Sequence, residues 1–163
     1  LTSLKGKPAA KGEVVVIRGQ VFRPDGKALD GALVEIWQAN AAGRYAHPGD
    51  GPTSGPLDPG FQGWGKALTG VYGQYQFKTV VPGAYLAAPD WRRPPHIHFK
   101  ITPKKGAPLI TQMYFAGAAE LNRKDGILQR LTPAQQKAVT VQFVADEKGV
   151  KHGNFDIVVA GAE

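Results

Sequence analysis

His96 and His98 stand one residue apart in the run WRRPPHIHF, residues 91–99. In a strand, side chains two apart share a face, so both imidazoles project together while Ile97 points the other way. Two such rings form a chelating pair for one metal ion, and they equally form an ordinary half-exposed strand face; the spacing alone leaves both readings open. The doubled proline Pro94-Pro95 stiffens the chain as it enters the strand. The chain contains four histidines and no cysteine, which excludes disulfides, thiolate nucleophiles and cysteine zinc sites. A metal would have to be held by His, Tyr, Asp or Glu. Tyr45 lies in AAGRYAHPGD (41–50) and Tyr85 follows VPGA (81–84). Taken singly, each is an amphipathic rim tyrosine. Taken together with two imidazoles, two phenolates are hard anionic donors that suit trivalent iron better than zinc. His47, two residues after Tyr45, is a rival ligand but reads as a loop residue supporting the site. His152, near a glycine turn, reads as solvent-exposed.

Positioning these side chains falls to short, punctuated segments. With 21 glycines and 13 prolines between runs rich in Val, Ile, Phe and Tyr, the chain has an all-β habit. Residues 1–12 have no apolar period and read as a flexible N-terminal tail; residues 13–163 are expected to form a single domain. EVVVIRGQVF (13–22) and ALVEIWQAN (32–40) read as strands joined into a hairpin through the Pro-Asp-Gly turn. Further strands are expected over 64–73, 74–83, 96–103, 108–117, 138–146 and 154–161. The stretch 41–62 is a long loop rich in Gly, Pro and Asp, of the kind that is usually functional, and 84–95 is a second irregular stretch. Only 118–138 is expected to hold short helical turns, with Thr132-Pro133 as N-cap and first helical residue. The fold class is therefore all-β: an antiparallel β-sandwich with long functional loops and few helical turns.

A formal net charge of +7 raises polyanions as partners. The cations are scattered, with no tract, recognition-helix pattern or aromatic-basic repeat, so no nucleic-acid partner is expected. No run of 18 apolar residues is present, and no membrane partner is expected. A chain beginning at Leu1 is compatible with a cytoplasmic protein or with an exported one whose leader has been removed.

The motifs GALVEIWQANAAGRYAHPGD, YGQYQFKTVVPGAY and WRRPPHIHF, in this order between about residues 19 and 117, resemble those of the intradiol ring-cleavage dioxygenases, the non-haem iron(III) enzymes that include protocatechuate 3,4-dioxygenase and catechol 1,2-dioxygenase. The resemblance implies Fe(3+) held by Tyr45, Tyr85, His96 and His98, with Tyr85 the mobile ligand that helps remove a substrate proton and Tyr45 the fixed one. It implies that Arg93 lies over the substrate ring and stabilises charge there, and that Gln112, in TQMYF, belongs to the catalytic set. Read without it, Arg93 is a surface cation on a connector and Gln112 an ordinary strand residue. The implied reaction consumes a catechol and O2, cleaving between the two hydroxyl-bearing carbons to a cis,cis-muconic acid. The long helical N-terminal region of catechol 1,2-dioxygenases and the extended arm of protocatechuate dioxygenase subunits have no counterpart in these 163 residues. Substrate choice and oligomeric state stay open, a homo-oligomer being one possibility.

A different class remains in view. GQVFRPDGKALDGALVEIWQ also resembles transthyretin-like β-sandwich modules, which bind without catalysis and carry no iron. A redox-inert zinc or copper site is a third reading. Trp37 and Trp91 read as core or rim aromatics.

Overall fold

The computed structural model describes residues 1–47, 49 and 55–162. Part of the expected functional loop, residues 48 and 50–54, and the last residue of the expected domain, 163, lie outside the described residues. In chain order the strands are β1 (Val14–Phe22), β2 (Leu33–Trp37), β3 (Trp64–Leu68), β4 (Gln74–Val80), β5 (Tyr85–Ala88), β6 (Trp91–Arg93), β7 (His96–Thr102), β8 (Leu109–Phe115), β9 (Thr140–Val141), β10 (Phe143–Ala145), β11 (Lys151–Asn154) and β12 (Ile157–Val158). Two short helices, α1 (Ala119–Lys124) and α2 (Pro133–Val139), and a 3-10 turn at Leu128–Arg130 fall where helical turns were expected, while a further 3-10 turn at Ala116–Ala118 takes up the end of the strand expected over 108–117.

Two sheets face each other. One runs β10-β11-β1-β12, with β4 also paired to β1; the other runs β3-β2-β7-β8-β9; a separate two-stranded ribbon joins β5 to β6. The pairing is mostly antiparallel, but β1 takes β11 and β12 in parallel and β8 takes β9 in parallel, so the sheets are mixed. The core lies between them. Ile17, Val21, Tyr75, Phe77 and Phe155 from the first sheet meet Val34, Ile36, Ile97, Phe99 and Ile101 from the second. Phe99 is the centre of an aromatic cluster, with ring centroids 5.0 Å from Phe155, 6.1 Å from Tyr75 and 6.4 Å from Phe77.

Three expectations are corrected. β1 and β2 are not a hairpin, because they belong to different sheets. The Pro-Asp-Gly turn folds back onto the end of its own strand: the Arg23 N–H donates to the Lys27 carbonyl, and the Leu29 N–H to that of Val21. Leu29 thus enters the core and the chain crosses to the opposite sheet. The supposedly irregular stretch 84–95 contains the β5–β6 ribbon, which pairs Tyr85 with Arg93. β11 was not foreseen either. In the first twelve residues there is no strand or helix, but Leu1 packs against the core and the Lys11 N–H donates to the Asp58 carboxylate at 2.7 Å. Among the described residues no helix is long and apolar enough to cross a membrane.

Candidate metal centre

β7 is a central strand, flanked by β2 and β8, and its two faces do different things. Ile97, Phe99 and Ile101 are fully buried against the opposite sheet. His96 and His98 point away from it, their ring centroids 5.0 Å apart with planes at 72°. Cross-strand register sets His98 opposite Trp37 on one side and Gln112 on the other, and His96 opposite Tyr114. The Trp37 indole stacks on the His98 ring at 4.9 Å and 4°. His96 is 1% exposed, and its Nδ1 lies 2.7 Å from the Pro94 carbonyl, an acceptor only. That bond fixes the tautomer, with the proton on Nδ1 and the lone pair on Nε2.

Burial pushes both imidazoles down to about 4. For His96 the Pro94 carbonyl resists that shift and the Arg93 charge adds to it; for His98 the neighbouring His96 and then Arg93 add to it. Both rings are neutral at pH 7, the form that donates to a metal.

The tyrosines arrive from two other places. Tyr85 opens β5, where its pairing with Arg93 sets it beside the entrance of β7; its ring is 5.7 Å from that of His96. Tyr45 comes from the loop after β2, with its ring 5.5 Å from Tyr85, edge to face, and 6.3 Å from His98. Asn40 builds that loop. Its Oδ1 accepts from the Ala42 and Arg44 N–H groups at 2.9 and 3.0 Å, and its Nδ2 donates to the Pro56 carbonyl at 2.9 Å. Gly43, at φ +79°, sits where a Cβ would come within 2.7 Å of the Ala84 carbonyl. Only glycine lets the two tyrosine-bearing segments lie this close. Trp37, Tyr45, His47, Gly49, Tyr85 and His98 line an open cleft of about 460 Å³. His47 is exposed, and its Nδ1 accepts from the Gly49 N–H at 3.0 Å.

Arg93 is not the surface cation that its sequence neighbourhood allowed; Arg92 is exposed and Arg93 is 4% exposed. Its Nε donates to the Asp125 carboxylate at 2.9 Å, and its Nη2 donates to Gln112 Oε1 at 2.7 Å and to the Tyr114 hydroxyl at 3.1 Å. Nη1 lies 3.2 Å from His96 Nε2. Burial works against both charges of the Arg93–Asp125 pair, but their mutual bond outweighs it, holding the guanidinium above its ordinary value and the carboxyl below. Burial also raises the Tyr114 phenol, so it stays protonated. Sequence reasoning missed Asp125 and Tyr114. A buried arginine demands a carboxylate, but nothing in the sequence indicates which one 32 residues away supplies it.

The six expected site residues, Tyr45, Tyr85, His96, His98, Arg93 and Gln112, thus converge at one end of β7. Among the described residues there is no group of three or more His, Cys, Asp or Glu that could hold a metal ion, so a metal here requires the phenols. Two neutral imidazoles with two phenols, each a phenolate once it gives its proton up to a metal, make a hard, mixed N/O set of the kind that fits trivalent iron.

Comparison with known proteins gives the class. The model of the Dioxygenase family matches residues 2–161. The protocatechuate 3,4-dioxygenase beta chain of Burkholderia cepacia is 42% identical over 158 residues, covering 93% of this chain and 66% of its own length. Catechol 1,2-dioxygenase 1 of Acinetobacter lwoffii is 35% identical over 116 residues, covering 63% of this chain and 36% of its own. The solved dioxygenase domain of a dioxygenase carbohydrate-binding protein fusion from Streptomyces sp. SirexAA-E superposes with a TM-score of 0.70 at 28% identity, over 98% of this chain and 87% of that one. The chain belongs to the intradiol ring-cleavage dioxygenase family. It spans about two thirds of the Burkholderia chain and about one third of the Acinetobacter enzyme.

Proposed function

We propose that the chain is a non-haem iron(III) intradiol dioxygenase that takes a catechol and O2 and opens the ring between the two hydroxyl-bearing carbons, giving a cis,cis-muconic acid. The observation that carries this reading is the meeting of two phenols and two neutral imidazoles at one open cleft in a chain of this family. Tyr45, Tyr85, His96 and His98 would hold the metal. When bound, iron(III) is a Lewis acid that lets a diol lose both protons near neutral pH and prepares the ring for O2.

The protein's own groups divide the remaining work. Tyr85, on a two-stranded ribbon rather than in a large sheet, would hold the metal as a phenolate and is the one suited to take up a substrate proton on its Oη, becoming the neutral phenol. Tyr45, bedded in the Asn40 loop, stays. Arg93 Nη1 and a metal compete for the same lone pair on His96 Nε2. Metal binding would release Nη1 toward the cleft, while Nε and Nη2 keep their bonds to Asp125, Gln112 and Tyr114. That cation then stabilises charge developing on the ring, with Gln112 keeping the guanidinium plane fixed. The Burkholderia relative is named a beta chain, that is, one of more than one kind of chain; an assembly of several chains is part of this proposal, testable by sedimentation.

The test is the iron-loaded protein and its Tyr85→Phe and His98→Ala variants. A red-brown protein that consumes one O2 per catechol and forms a muconate, with colour lost or shifted in the variants, is the expected result. A colourless zinc protein, a blue copper protein, or an iron-loaded protein that consumes no O2 with any of a panel of catechols would overturn it.

A further inference from the structure

Asp125 is fully buried, a rare place for a carboxylate, and it stands outside the set of residues that would touch metal or substrate. It follows α1, and its Oδ1 accepts from the backbone N–H groups of Ile127 and Leu128 at 3.1 and 2.8 Å, closing the 3-10 turn Leu128–Arg130. Its Oδ2 accepts from Arg93 Nε at 2.9 Å. Tyr114 Oη, 3.3 Å from Asp125 Oδ1 and 3.1 Å from Gln112 Oε1, ties the same carboxylate to β8. One side chain thus joins the helical insertion between β8 and β9 to the guanidinium beside His96.

We propose that Asp125 is a positioning residue for the reaction: it fixes the rotamer of Arg93 so that Nη1 alone faces the metal-side cleft, and through it the insertion 116–131 becomes part of the catalytic apparatus. This rests on the dioxygenase reading for its catalytic consequence, but not for the positioning itself. Asn at 125 separates the two duties of the carboxylate. Its Oδ1 still accepts from Ile127 and Leu128, since Asn caps backbone turns as well as Asp does, and keeps the long contact from Arg93 Nη2 at 3.4 Å, while its amide cannot accept from Arg93 Nε, so the short bond at 2.9 Å is the one lost.

Three measurements test it. In the metal-free protein, the Arg93 Nε–H, observed by NMR of nitrogen-labelled arginine, is protected from solvent exchange, and Asp125→Asn accelerates that exchange at least roughly tenfold, as expected for a broken buried charge-assisted bond. In the iron-loaded protein, Asp125→Asn lowers kcat by roughly 10- to 100-fold with KM within about threefold, since a misplacement of about 1 Å costs up to about 10²-fold. In an Arg93→Gln background, the same Asp125→Asn change has less than about a twofold further effect on kcat, because it acts only through Arg93. Effects that multiply in the double variant, or an Arg93 Nε–H whose exchange does not change, would overturn the proposal. If the wild type turns over no catechol, the dioxygenase reading fails, and the exchange measurement on metal-free protein still decides for or against Asp125. Should Asp125→Asn not fold, Asp125→Ser, which keeps a hydroxyl acceptor for the turn, serves in all three.

Discussion

At the scale of residues, the guanidinium of Arg93 is buried and bonded to Asp125, Gln112 and Tyr114, and this changes what its removal would do. Arg93→Ala should lower turnover by roughly 10²-fold or more, but it also leaves Asp125 as a buried charge with no cation, which costs about 3–5 kcal/mol. Thermal unfolding will show a clear loss of stability in that variant, and adding Asp125→Asn should recover part of it. The histidines should make the metal-free protein acid-sensitive. Their folded values near 4 lie below the ordinary 6.5, so the unfolded chain binds protons that the folded one refuses. The stability they contribute is complete above about pH 6.5 and is lost as pH falls from there toward 4; the lowered carboxyl of Asp125 adds a further loss below its ordinary 3.8. Urea titrations of the metal-free protein at pH 7, 5.5 and 4.5 should show midpoints falling in that order, and His98→Ala should flatten the trend. Tyr45, Tyr85, His96 and His98 could be singled out as candidate donors because each sits in a motif that carries the family resemblance. Asp125 could not, since a lone Lys-Asp-Gly carries no sign of the arginine that it meets through the fold.

Among elements, legibility followed the origin of the order. β2, β4 and β7 alternate visibly because one face of each is core, while β1 and β8 were legible as apolar runs rich in branched and aromatic residues. β11, Lys151–Asn154, has no such alternation and exists because β1 pairs with it, setting Val16 beside His152. The β5–β6 ribbon likewise is held by hydrogen bonding between largely exposed residues, which leaves no period to read. A turn signal reports that the chain reverses, not which sheet it reverses into, which is why β1 and β2 were joined wrongly. α2 was legible at its start, and the structure adds a full capping box: Thr132 accepts from the Gln135 N–H, and the Gln135 side chain accepts from the Thr132 N–H. Thr132→Ala should lower stability by about 1 kcal/mol, read as a shift in the denaturant midpoint at unchanged slope, with metal content unaffected.

Viewed as a whole molecule, the chain has a net charge of +7, while Arg93, the cation beside His96, is already paired with Asp125. The excess charge acts from the surface, at long range. A carboxylated catechol should therefore lose kcat/KM as salt is raised from about 20 to 300 mM, through slower encounter, while an uncharged catechol changes little; equal salt dependence for both would show that the surface field plays no part. The sandwich also distributes its three tryptophans unevenly. Trp64 is largely exposed on the edge strand β3, Trp91 lies 5.5 Å from the Arg93 guanidinium, and Trp37 is stacked face to face on His98. An excited indole in van der Waals contact with a ligand of a coloured, redox-active ion loses its emission to that ion. Iron uptake should thus dim the intrinsic fluorescence in proportion to occupancy, and Trp37→Phe should abolish most of the response. With iron in the proposed site, the stacking that fixes one imidazole in place would serve, read optically, as a gauge of metal content.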